Sequence, residues 1–334
     1  MKCIRILLFP IVPFYYGVTW LRNVLYDLGI KTAKTYNFPT ICVGNISAGG
    51  TGKTPMVEYL IRLLKTDFNV ATLSRGYGRR TKGFILASHR SSAETIGDEP
   101  FQFFTKFKDT IQVAVDENRQ RGISKLRALK NQPTLIVLDD AFQHRKVAAK
   151  LNILLSTYSN LYCNDMVLPT GNLREPRQGA RRAQIIIVTK CPKHLSSEQK
   201  NSIVAKLKPK AFQEVFFSSI SYACKVIGYA NSLTLNELKE FTLVTGIANA
   251  KPLVDFLEMK GLHFKHLKFS DHHVFSKNDI NTIAKHKLII TTEKDYVRLI
   301  TKDRLIKNLY YLPISITIDR STDFKTLLMS KIKA

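Results

Sequence analysis

The stretch ICVGNISAGGTGKT, residues 41–54, decides the fold of this chain, because it runs from a β-branched strand through a glycine-rich turn into a helical pattern. Gly49, Gly50 and Gly52 allow backbone N–H groups to face an anion, and the N-terminus of the following helix adds a partial positive charge. A strand, such a turn and a helix in this order are the context that a phosphate-binding loop requires. We therefore predict a polyphosphate site here.

The predicted nucleotide-binding residues are Ser47, Ala48, Gly49, Gly50, Thr51, Gly52, Lys53 and Thr54. In such a loop Lys53 contacts the β- and γ-phosphates, and the hydroxyl of Thr54 completes the Mg²⁺ shell. The motif departs from the common pattern at Ser47, where a glycine is usual. Pro55 is compatible with a helix that begins here, because an N–H in the first turn has no intrahelical partner.

A second acidic element supports the loop. The segment TLIVLDD, residues 134–140, is an apolar strand that ends in Asp139 and Asp140. An acid at the end of such a strand can lie beside the Mg²⁺ of a bound nucleotide. Alone, this pattern is weak, since apolar strands that end in Asp often lead only into a solvated turn. Together with the loop, it predicts an ATP and Mg²⁺ site.

The rest of the chain alternates short apolar runs with helical stretches, which predicts an α/β fold with a mostly parallel sheet covered by helices, as in P-loop NTPases. The predicted strands are 40–43, 70–74, 111–115, 135–139, 152–155 and 185–189, and the predicted helices are 54–65, 117–130 and 196–208. Beyond about residue 218 the alternation of strands and helices begins again, with strands at 242–245 and 288–292 and a helix at 250–260. We therefore predict a kinase core over 31–220 and a second, smaller α/β domain over 221–334.

The N-terminal segment, 1–30, has a different character. Residues 6–21 carry no charge and are flanked by Lys2, Arg5 and Arg22. This run is short for a membrane span, and Pro10 and Pro13 argue against a continuous helix through it. We predict a segment that associates with the membrane interface, with burial in the protein core as the alternative.

The net charge of the chain and the spacing of its motifs exclude several classes of protein. Lys and Arg number 51 against 26 acidic residues, a net charge of +25, which favours a polyanionic partner. The five cysteines form no Cys-x-x-Cys pair, so a structural zinc site is not indicated. The chain lacks a base-reading motif of GTPases and the Gly-x-Gly-x-x-Gly of dinucleotide-binding oxidoreductases. The classes of P-loop protein that are not excluded are an ATP-driven motor, an ATP hydrolase and a kinase.

The sequence resembles the tetraacyldisaccharide 4'-kinases, which phosphorylate the lipid A precursor. The resemblance covers most of the chain in an ordered series of motifs. These are VGNISAGGTGKTP (43–55), SRGYG (74–78), GDEP (97–100), DENRQRG (116–122), DDAFQH (139–144), LPTGNLREP (168–176), DH (271–272) and TEKD (292–295). The missing first glycine and the proline after Thr54 are both part of the family pattern.

This resemblance implies transfer of the γ-phosphate of ATP to the 4'-hydroxyl of a tetraacylated glucosamine disaccharide 1-phosphate. It implies two α/β domains with the nucleotide between them and a hydrophobic N-terminal element that meets the bilayer. The expected location is the cytoplasmic face of the bacterial inner membrane, as a peripheral or monotopic protein drawn to the anionic surface. We expect a monomer that does not bind nucleic acid.

Residue roles carried over from the family motifs concern the acceptor and the metal. Asp98 is the expected base for the sugar hydroxyl, with His272 as its dyad partner, although Asp98 could instead be a helix N-terminal acid. The expected Mg²⁺ ligands, direct or through water, are Thr54, Glu99, Asp139 and Asp140. The residues expected to contact phosphate or substrate, or to orient those that do, are Arg75, Arg119, Gln143, His144 and Arg174. For Arg174, an ion pair with its neighbour Glu175 is the alternative.

Two other functions fit parts of the same sequence. A basic P-loop ATPase that acts on nucleic acid would explain the net charge, but no basic repeat with interleaved aromatic residues is present. A membrane-binding scaffold that retains the loop without turnover is the other possibility.

Overall fold

The computed structural model describes residues 5, 7–271, 273–300 and 305–333. The helices in these ranges are α1 (Val12–Asp27), α2 (Lys53–Leu64), α3 (Ala93–Ile96), α4 (Asp98–Phe107), α5 (Arg119–Arg127), α6 (Ser197–Leu207), α7 (Lys251–Met259), α8 (Lys277–Ile283), α9 (Glu293–Leu299) and α10 (Ser321–Lys333). Short 3-10 turns occupy Phe9–Ile11, Lys108–Thr110, Tyr162–Asn164, Arg177–Arg182 and Leu235–Glu237.

The strands form two sheets. They are β1 (Thr40–Gly44), β2 (Val70–Ser74), β3 (Ile85–Leu86), β4 (Gln112–Val115), β5 (Leu135–Asp139), β6 (Leu151–Thr157), β7 (Ile185–Cys191), β8 (Glu214–Tyr222), β9 (Lys225–Gly228), β10 (Ser232–Thr234), β11 (Glu240–Thr245), β12 (His263–Lys268), β13 (Ile289–Thr292), β14 (Leu309–Leu312) and β15 (Ile314–Ile318).

In the described part of the chain, the large sheet has nine strands in the order β15-β8-β7-β6-β1-β5-β2-β4-β3. Its seven inner strands, β8 to β4, are parallel, and only the outermost strands β15 and β3 run antiparallel to their neighbours. The predicted α/β class with a mostly parallel sheet is therefore confirmed. The six predicted strands are also confirmed, with ends within two residues.

The large sheet is apolar because both of its faces are covered. Helices α2, α4 and α10 pack on one face, and α5 and α6 pack on the other. Successive residues of β1 point to alternate faces of the sheet. Ile41 and Val43 pack on the side of α2, α4 and α10, and Cys42 packs on the side of α5 and α6. Such double burial holds the carboxyl ends of the strands in fixed positions.

The smaller sheet has the order β10-β9-β14-β13-β11-β12 within the described residues. Strands β14, β13, β11 and β12 are parallel, while β9 pairs antiparallel with both β10 and β14. Helix α7 packs on one face, and α8 and α9 pack on the other. The predicted second α/β unit thus has a sheet and a core of its own.

The chain does not stay in the smaller unit to its end. Strand β15 pairs antiparallel with β8, with Ile314 opposite Tyr222, and so extends the large sheet. Helix α10 then buries Phe324 and Leu328 in the core of that sheet. The domain division at residue 220 stays a prediction, but residues 314–333, which it assigned to the smaller unit, are part of the large one.

Helix α1 covers only part of the uncharged run 6–21. It begins at Val12, after a 3-10 turn at Phe9–Ile11, and runs for 16 residues with Pro13 in its first turn, so the α-helix does not extend through Pro10. A proline there costs no intrahelical hydrogen bond. None of the residues of α1 is buried, so it does not form part of the core. Among the described residues, no helix combines the length and apolar character needed to cross a bilayer.

Candidate active site

The glycine-rich turn joins the end of β1 to the first residue of α2, Lys53. Gly49 and Gly52 have φ values of 108° and 87°, a region that side chains with a Cβ rarely adopt. Gly52 is also the N-cap of α2, so the turn leads directly into the helix N-terminus. This local geometry points backbone N–H groups and a helix dipole towards the same space, as a phosphate group requires.

Side chains from other motifs brace this turn. Asn45 Nδ2 donates to Thr51 Oγ1 at 2.8 Å, and Thr189 Oγ1 at the end of β7 donates to the Thr51 carbonyl at 2.8 Å. The Ala48 N–H donates to the Asn172 carbonyl at 2.6 Å. The contact from Asn45 is local, while those from Thr189 and Asn172 come from segments far apart in sequence, so the turn is held in one conformation before any ligand binds.

Ser47 replaces the usual first glycine of the motif without backbone strain. It forms an antiparallel bridge with Leu173 in the LPTGNLREP segment, and it is not among the residues with positive φ. A glycine is needed where the backbone enters the positive-φ region, and Ser47 does not enter it. The loop therefore tolerates serine at position 47, because the backbone there has no need of glycine's conformational freedom.

The acidic pair of the TLIVLDD strand lies next to the loop. Val43 of β1 is opposite Asp139 of β5 in the parallel register, so the two strands end side by side. Lys53 Nζ lies 3.6 Å from Asp140 Oδ1, and Arg174 Nη1 lies 3.2 Å from the same oxygen. Burial would raise the pKa of Asp140, but Lys53 and Arg174 lower it below its usual value. Asp140 is therefore a carboxylate at neutral pH.

Asp139 has a different environment. Ser74 Oγ donates to its Oδ2 at 3.2 Å, while its buried Oδ1 has no hydrogen-bond partner among the described residues. Burial, followed by the nearby carboxylates of Asp140 and Glu99, raises the pKa of Asp139 to about 7. A buried carboxylate oxygen without a donor is costly. The site thus has a place for a cation that the protein itself does not fill.

Arg119 lies beneath this acidic pair. It is 2% exposed, and its guanidinium donates to the Asp116 carbonyl at 2.6 Å and to the Asp139 carbonyl at 3.3 Å. Burial lowers its pKa to about 10, so it stays charged at neutral pH. These bonds hold the carboxyl ends of β4 and β5 together. Contact of Arg119 with a phosphate group stays a prediction.

The predicted orienting residues Gln143 and His144 follow the acidic pair directly. Gln143 Nε2 donates to the Asn45 carbonyl at 2.8 Å and to Glu175 Oε1 at 3.0 Å. Burial, together with the nearby cations Arg119, Arg75 and Arg22, lowers the pKa of His144 to about 4. His144 is therefore a neutral imidazole at physiological pH. The two hydrogen bonds of Gln143 link the phosphate loop to the 168–176 segment.

From the sequence, Glu175 was predicted only as an alternative partner for Arg174. Arg174 pairs with Asp140, whereas Glu175 is buried and pairs with Arg182, at 2.8 Å. Asn23 of α1 also donates to Glu175, at 2.9 Å. The signal in the sequence was the adjacent Arg-Glu pair, but adjacency does not show which acid each arginine reaches.

Asp98 and Glu99 form the first turn of α4, so the alternative position at a helix N-terminus is the one observed. Arg298 of α9 donates from Nε to Asp98 Oδ2 at 2.8 Å. This contact joins the large unit to the smaller one. His272, the predicted dyad partner, lies outside the described residues, so the dyad stays a prediction.

The structure therefore brings together residues 47–54, Asp139, Asp140, Gln143 and Arg174 at the carboxyl ends of β1 and β5. Glu99 is close enough to raise the pKa of Asp139, and Arg75 follows the neighbouring strand β2 as an exposed side chain. Open α/β sheets place their ligand sites at such strand ends. Among the described residues, no cluster of three or more His, Cys, Asp or Glu side chains forms a complete metal cage.

Comparison with known proteins is consistent with this geometry. A curated relative from Flavobacterium johnsoniae, named tetraacyldisaccharide 4'-kinase, is 48% identical over 100% of this chain and 98% of its own length. A second with that name, from Bacteroides fragilis, is 46% identical over 93% of this chain and 88% of its own.

A solved structure has the same fold. It is the "apo" form of LpxK from Aquifex aeolicus in complex with ATP, with a TM-score of 0.78, 28% identity, and coverage of 98% of this chain and 99% of that one. The family model described as tetraacyldisaccharide-1-P 4'-kinase matches residues 4–333. With a match over nearly the whole sequence and relatives of this identity, the chain belongs to the tetraacyldisaccharide-1-P 4'-kinase family.

Proposed function

We propose that this chain is an ATP-dependent kinase of lipid A biosynthesis. It transfers the γ-phosphate of ATP to the 4'-hydroxyl of a tetraacylated glucosamine disaccharide 1-phosphate. The observation that carries the proposal is the braced glycine turn beside Lys53, Asp139 and Asp140, found in a member of this kinase family. The ATP complex of the Aquifex aeolicus protein supports ATP as the phosphate donor.

Phosphoryl transfer depends on positioning and charge neutralisation more than on covalent chemistry. The N–H groups of residues 47–54 and the N-terminus of α2 would hold the β- and γ-phosphates. Lys53, which is half-buried beside Asp140, would neutralise charge on the transferred group. Arg174 reaches the same carboxylate and would meet a phosphate group there.

The acidic residues of the site fit Mg²⁺. This ion prefers oxygen ligands, and it binds through one or two carboxylates together with substrate phosphates. The hydroxyl of Thr54 and the carboxylate of Asp139 or Asp140, with Glu99 direct or through water, would supply such a shell. The Oδ1 atom of Asp139, which has no donor among the described residues, is the observation that supports this fit. When bound, Mg²⁺ supplies charge neutralisation on the phosphate oxygens.

The proton of the sugar hydroxyl needs an acceptor. Asp98 is the proposed base, with His272 as its proposed partner. Both Arg298 hydrogen bonds to Asp98 end on Oδ2, which fixes the direction of the carboxylate. Positioned carboxylates serve as general bases when a substrate hydroxyl comes within hydrogen-bond reach.

Helix α1 supplies a surface for the lipid. The exposed apolar residues recur every three, four or seven positions, as on one stripe of a helix, and Phe14 and Leu28 are 76% and 69% exposed. The stripe consists of Ile11, Phe14, Val18, Leu21 and Leu28. A neighbouring side of α1 is attached to the site, where Tyr15 donates to the Arg174 carbonyl at 2.9 Å and Arg22 donates to the Gln143 carbonyl. We place the apolar stripe in the anionic cytoplasmic face of the inner membrane, with the protein acting as a monomer.

The proposed activity is tested by incubating the purified chain with γ-³²P-labelled ATP and the acylated disaccharide 1-phosphate in mixed micelles. Label should enter the lipid, and it should enter only when Mg²⁺ is present. Lipid that stays unlabelled, while DNA stimulates ATP hydrolysis in a salt-sensitive way, would favour the nucleic-acid ATPase instead.

The membrane surface is tested by vesicle flotation with the triple variant Phe14→Ser, Val18→Ser and Leu21→Ser. Binding to anionic vesicles should weaken about tenfold or more, since each buried apolar side chain contributes roughly 1.5–3 kcal/mol. Met259→Ser is the control, because Met259 is equally exposed but lies in the smaller unit. Equal binding by the triple variant and the wild type would remove α1 from this role.

A further inference from the structure

Three helices meet at a buried polar cluster between the two units. The cluster consists of Glu58 on α2, Gln102 and Lys106 on α4, and Glu293 on α9. Lys106 Nζ lies 2.6 Å from Glu58 Oε2 and 2.6 Å from Glu293 Oε1. Gln102 Nε2 donates to Glu58 Oε1 at 2.8 Å and to Glu293 Oε2 at 3.1 Å. Each carboxylate is thus bound by the same ammonium and the same amide.

The contact between α4 and α9 follows from helical spacing. Asp98, Gln102 and Lys106 are four residues apart, so they lie on one face of α4. That face meets α9, where Arg298 donates to Asp98 and Glu293 accepts from Gln102 and Lys106. The proposed base therefore lies at one end of a row of polar contacts that runs along the interface between the units.

Burying this cluster costs free energy, because its charged groups lose contact with water. The side chains of Glu58 and Glu293 are 2% and 7% exposed, and Lys106 is 18% exposed. Arg62 also donates to Glu58, at 2.9 Å, from the solvent side. Burial, followed by the Glu58 carboxylate, raises the pKa of Glu293 to about 7. Replacing a buried ionic cluster with apolar residues is often neutral or stabilising, so stability alone is a weak reason to have one here.

The cluster connects the helix that carries Lys53 to the helix that carries Asp98. Glu58 is five residues after Lys53 on the same helix, and both are rigidly connected by α2. Gln102 and Lys106 are on the helix that begins with Asp98 and Glu99. A change in the cluster would shift α4 against α2, and so shift Asp98 relative to the phosphate that Lys53 contacts. A displacement of about 1 Å in such a reaction costs on the order of 10²-fold in rate.

We propose that Lys106 and Glu293, with Glu58 and Gln102, form a positioning device for phosphoryl transfer. The device sets the location of Asp98 relative to Lys53 by joining the phosphate-loop helix, the helix of the base and the smaller unit. It acts through Asp98 and touches no substrate. The inference rests on the proposed kinase function.

The test compares kcat, KM for ATP and Tm for the wild type, Glu293→Gln, Lys106→Met and Lys106→Arg. We expect kcat to fall about 10- to 100-fold in Glu293→Gln and Lys106→Met, because Asp98 is misplaced while the phosphate loop is intact. KM for ATP should stay within about twofold, since it reports on the loop. Lys106→Arg keeps a cation between the carboxylates and should recover most of kcat.

Additivity and a matched control sharpen the result. Glu293→Gln and Lys106→Met combined should lower kcat little more than either alone, because both break the same device. Lys200→Met is the control, since Lys200 forms a comparable half-buried ion pair with Asp319, at 2.9 Å, away from the three helices. Its kcat should equal that of the wild type.

The outcomes separate this inference from the proposed function. A wild type that transfers no label to lipid would refute the kinase activity itself. An active wild type beside folded variants with unchanged kcat, or with kcat and KM altered together, would overturn the positioning role. Should the charge variants fail to fold, Gln102→Leu keeps the test open, with an expected loss of about 3- to 10-fold in kcat and none in ATP affinity. Full kcat in folded Gln102→Leu would also reject the proposal.

Discussion

The phosphate-loop side of the site and the α4–α9 side are built in different ways. The loop side consists of one contiguous turn, braced by neighbouring strand ends and by the 168–176 segment. The α4–α9 side joins residues 200 positions apart, Asp98 and Arg298, and residues 191 apart, Gln102 and Glu293. The difference teaches that the donor half of the site is one contiguous turn whose supports all belong to the large unit, whereas the acceptor half depends on how two sheets dock.

The two sides also use their cations differently. Lys53 and Lys106 are almost equally buried, at 17% and 18% exposed, but Asp140 beside Lys53 is 36% exposed, so that pair can exchange partners when a phosphate arrives. Lys106 is enclosed between two carboxylates that are almost fully buried. The loop side is therefore arranged to receive a ligand, and the α4–α9 side to hold its own parts in place.

The largest effect is expected from Lys53→Ala. The substitution removes the cation at the transferred phosphate, and we expect a loss in kcat of roughly 10³- to 10⁵-fold, the size seen when a comparable cation is removed from phosphoryl transfer. Label transfer from ATP to lipid measures it. Lys65→Ala, at the exposed far end of the same helix, should keep full activity. An active Lys53→Ala enzyme would break the assignment of the loop side.

Asp98→Asn tests the acceptor side. We expect kcat to fall by about 10²- to 10⁴-fold with little change in ATP affinity, because the general base is lost while the loop is intact. Steady-state kinetics and binding of a non-hydrolysable ATP analogue measure the two quantities. Asp109→Asn, an exposed acid just after α4, is the matched control. Near-normal turnover would remove Asp98 from this role and weaken the contrast between the two sides.

The next largest effect is the change in the free energy of unfolding with pH that Asp139 produces. The pKa of Asp139 is raised by burial from 3.8 to about 7, so the folded state binds a proton more tightly than the unfolded state. The resulting stability is fully present below about pH 4 and is lost as the pH rises through about 7. In the nucleotide-free protein, Asp139→Asn should remove this decline, on the order of a few kcal/mol.

Thermal unfolding of the wild type and Asp139→Asn across pH 4–8 measures this difference. Glu293, whose pKa is also raised to about 7, contributes a decline of the same sign in both proteins. Mg²⁺ with an ATP analogue should stabilise the wild type above pH 7 more than it stabilises the variant, which keeps the loop and Asp140. Identical pH slopes for the two proteins would show that Asp139 is not the strained carboxylate.

The smallest effect is expected from Tyr15→Phe. Tyr15 of α1 donates to the Arg174 carbonyl at 2.9 Å, and loss of this one hydrogen bond should lower the free energy of unfolding by about 1 kcal/mol. Label transfer should fall at most severalfold. Tyr229→Phe, at an exposed position in the smaller unit, serves as the control. A large loss of transfer without loss of stability would mean that α1 sets the loop side directly.

The contrast between the two sides also explains how well the sequence predicted each. The strand bounds 70–74 and 135–139 match the structure, because runs covered on both faces are apolar throughout and leave a strong pattern. Helix α4 was not predicted, since Asp98 precedes Pro100 and the segment could be a turn. Pro100 is compatible with α4 because it lies in the first turn, as Pro13 does in α1.

The ion-pair partner of Arg174 depended on tertiary structure, because two acids were possible. Arg174 neighbours Glu175 in sequence but pairs with Asp140, and Glu175 pairs with Arg182. Nothing in the motif GDEP indicates that Arg298 reaches Asp98. Side-chain reach in space decides such pairs, and spacing along the chain limits reach only within a helix turn or so.

The sequence by itself determined the sheet, the glycine turn and the family, because these depend on local periodicity, on backbone freedom at Gly49 and Gly52, and on an ordered series of motifs. Only the tertiary structure decided that residues 314–333 return to the large sheet and that Glu58, Lys106 and Glu293 meet between the units. The physical reason is that a buried charge cluster gains its energy from groups distant along the chain. Helical spacing places Asp98, Gln102 and Lys106 on one face of α4, but it does not show which helix packs on that face.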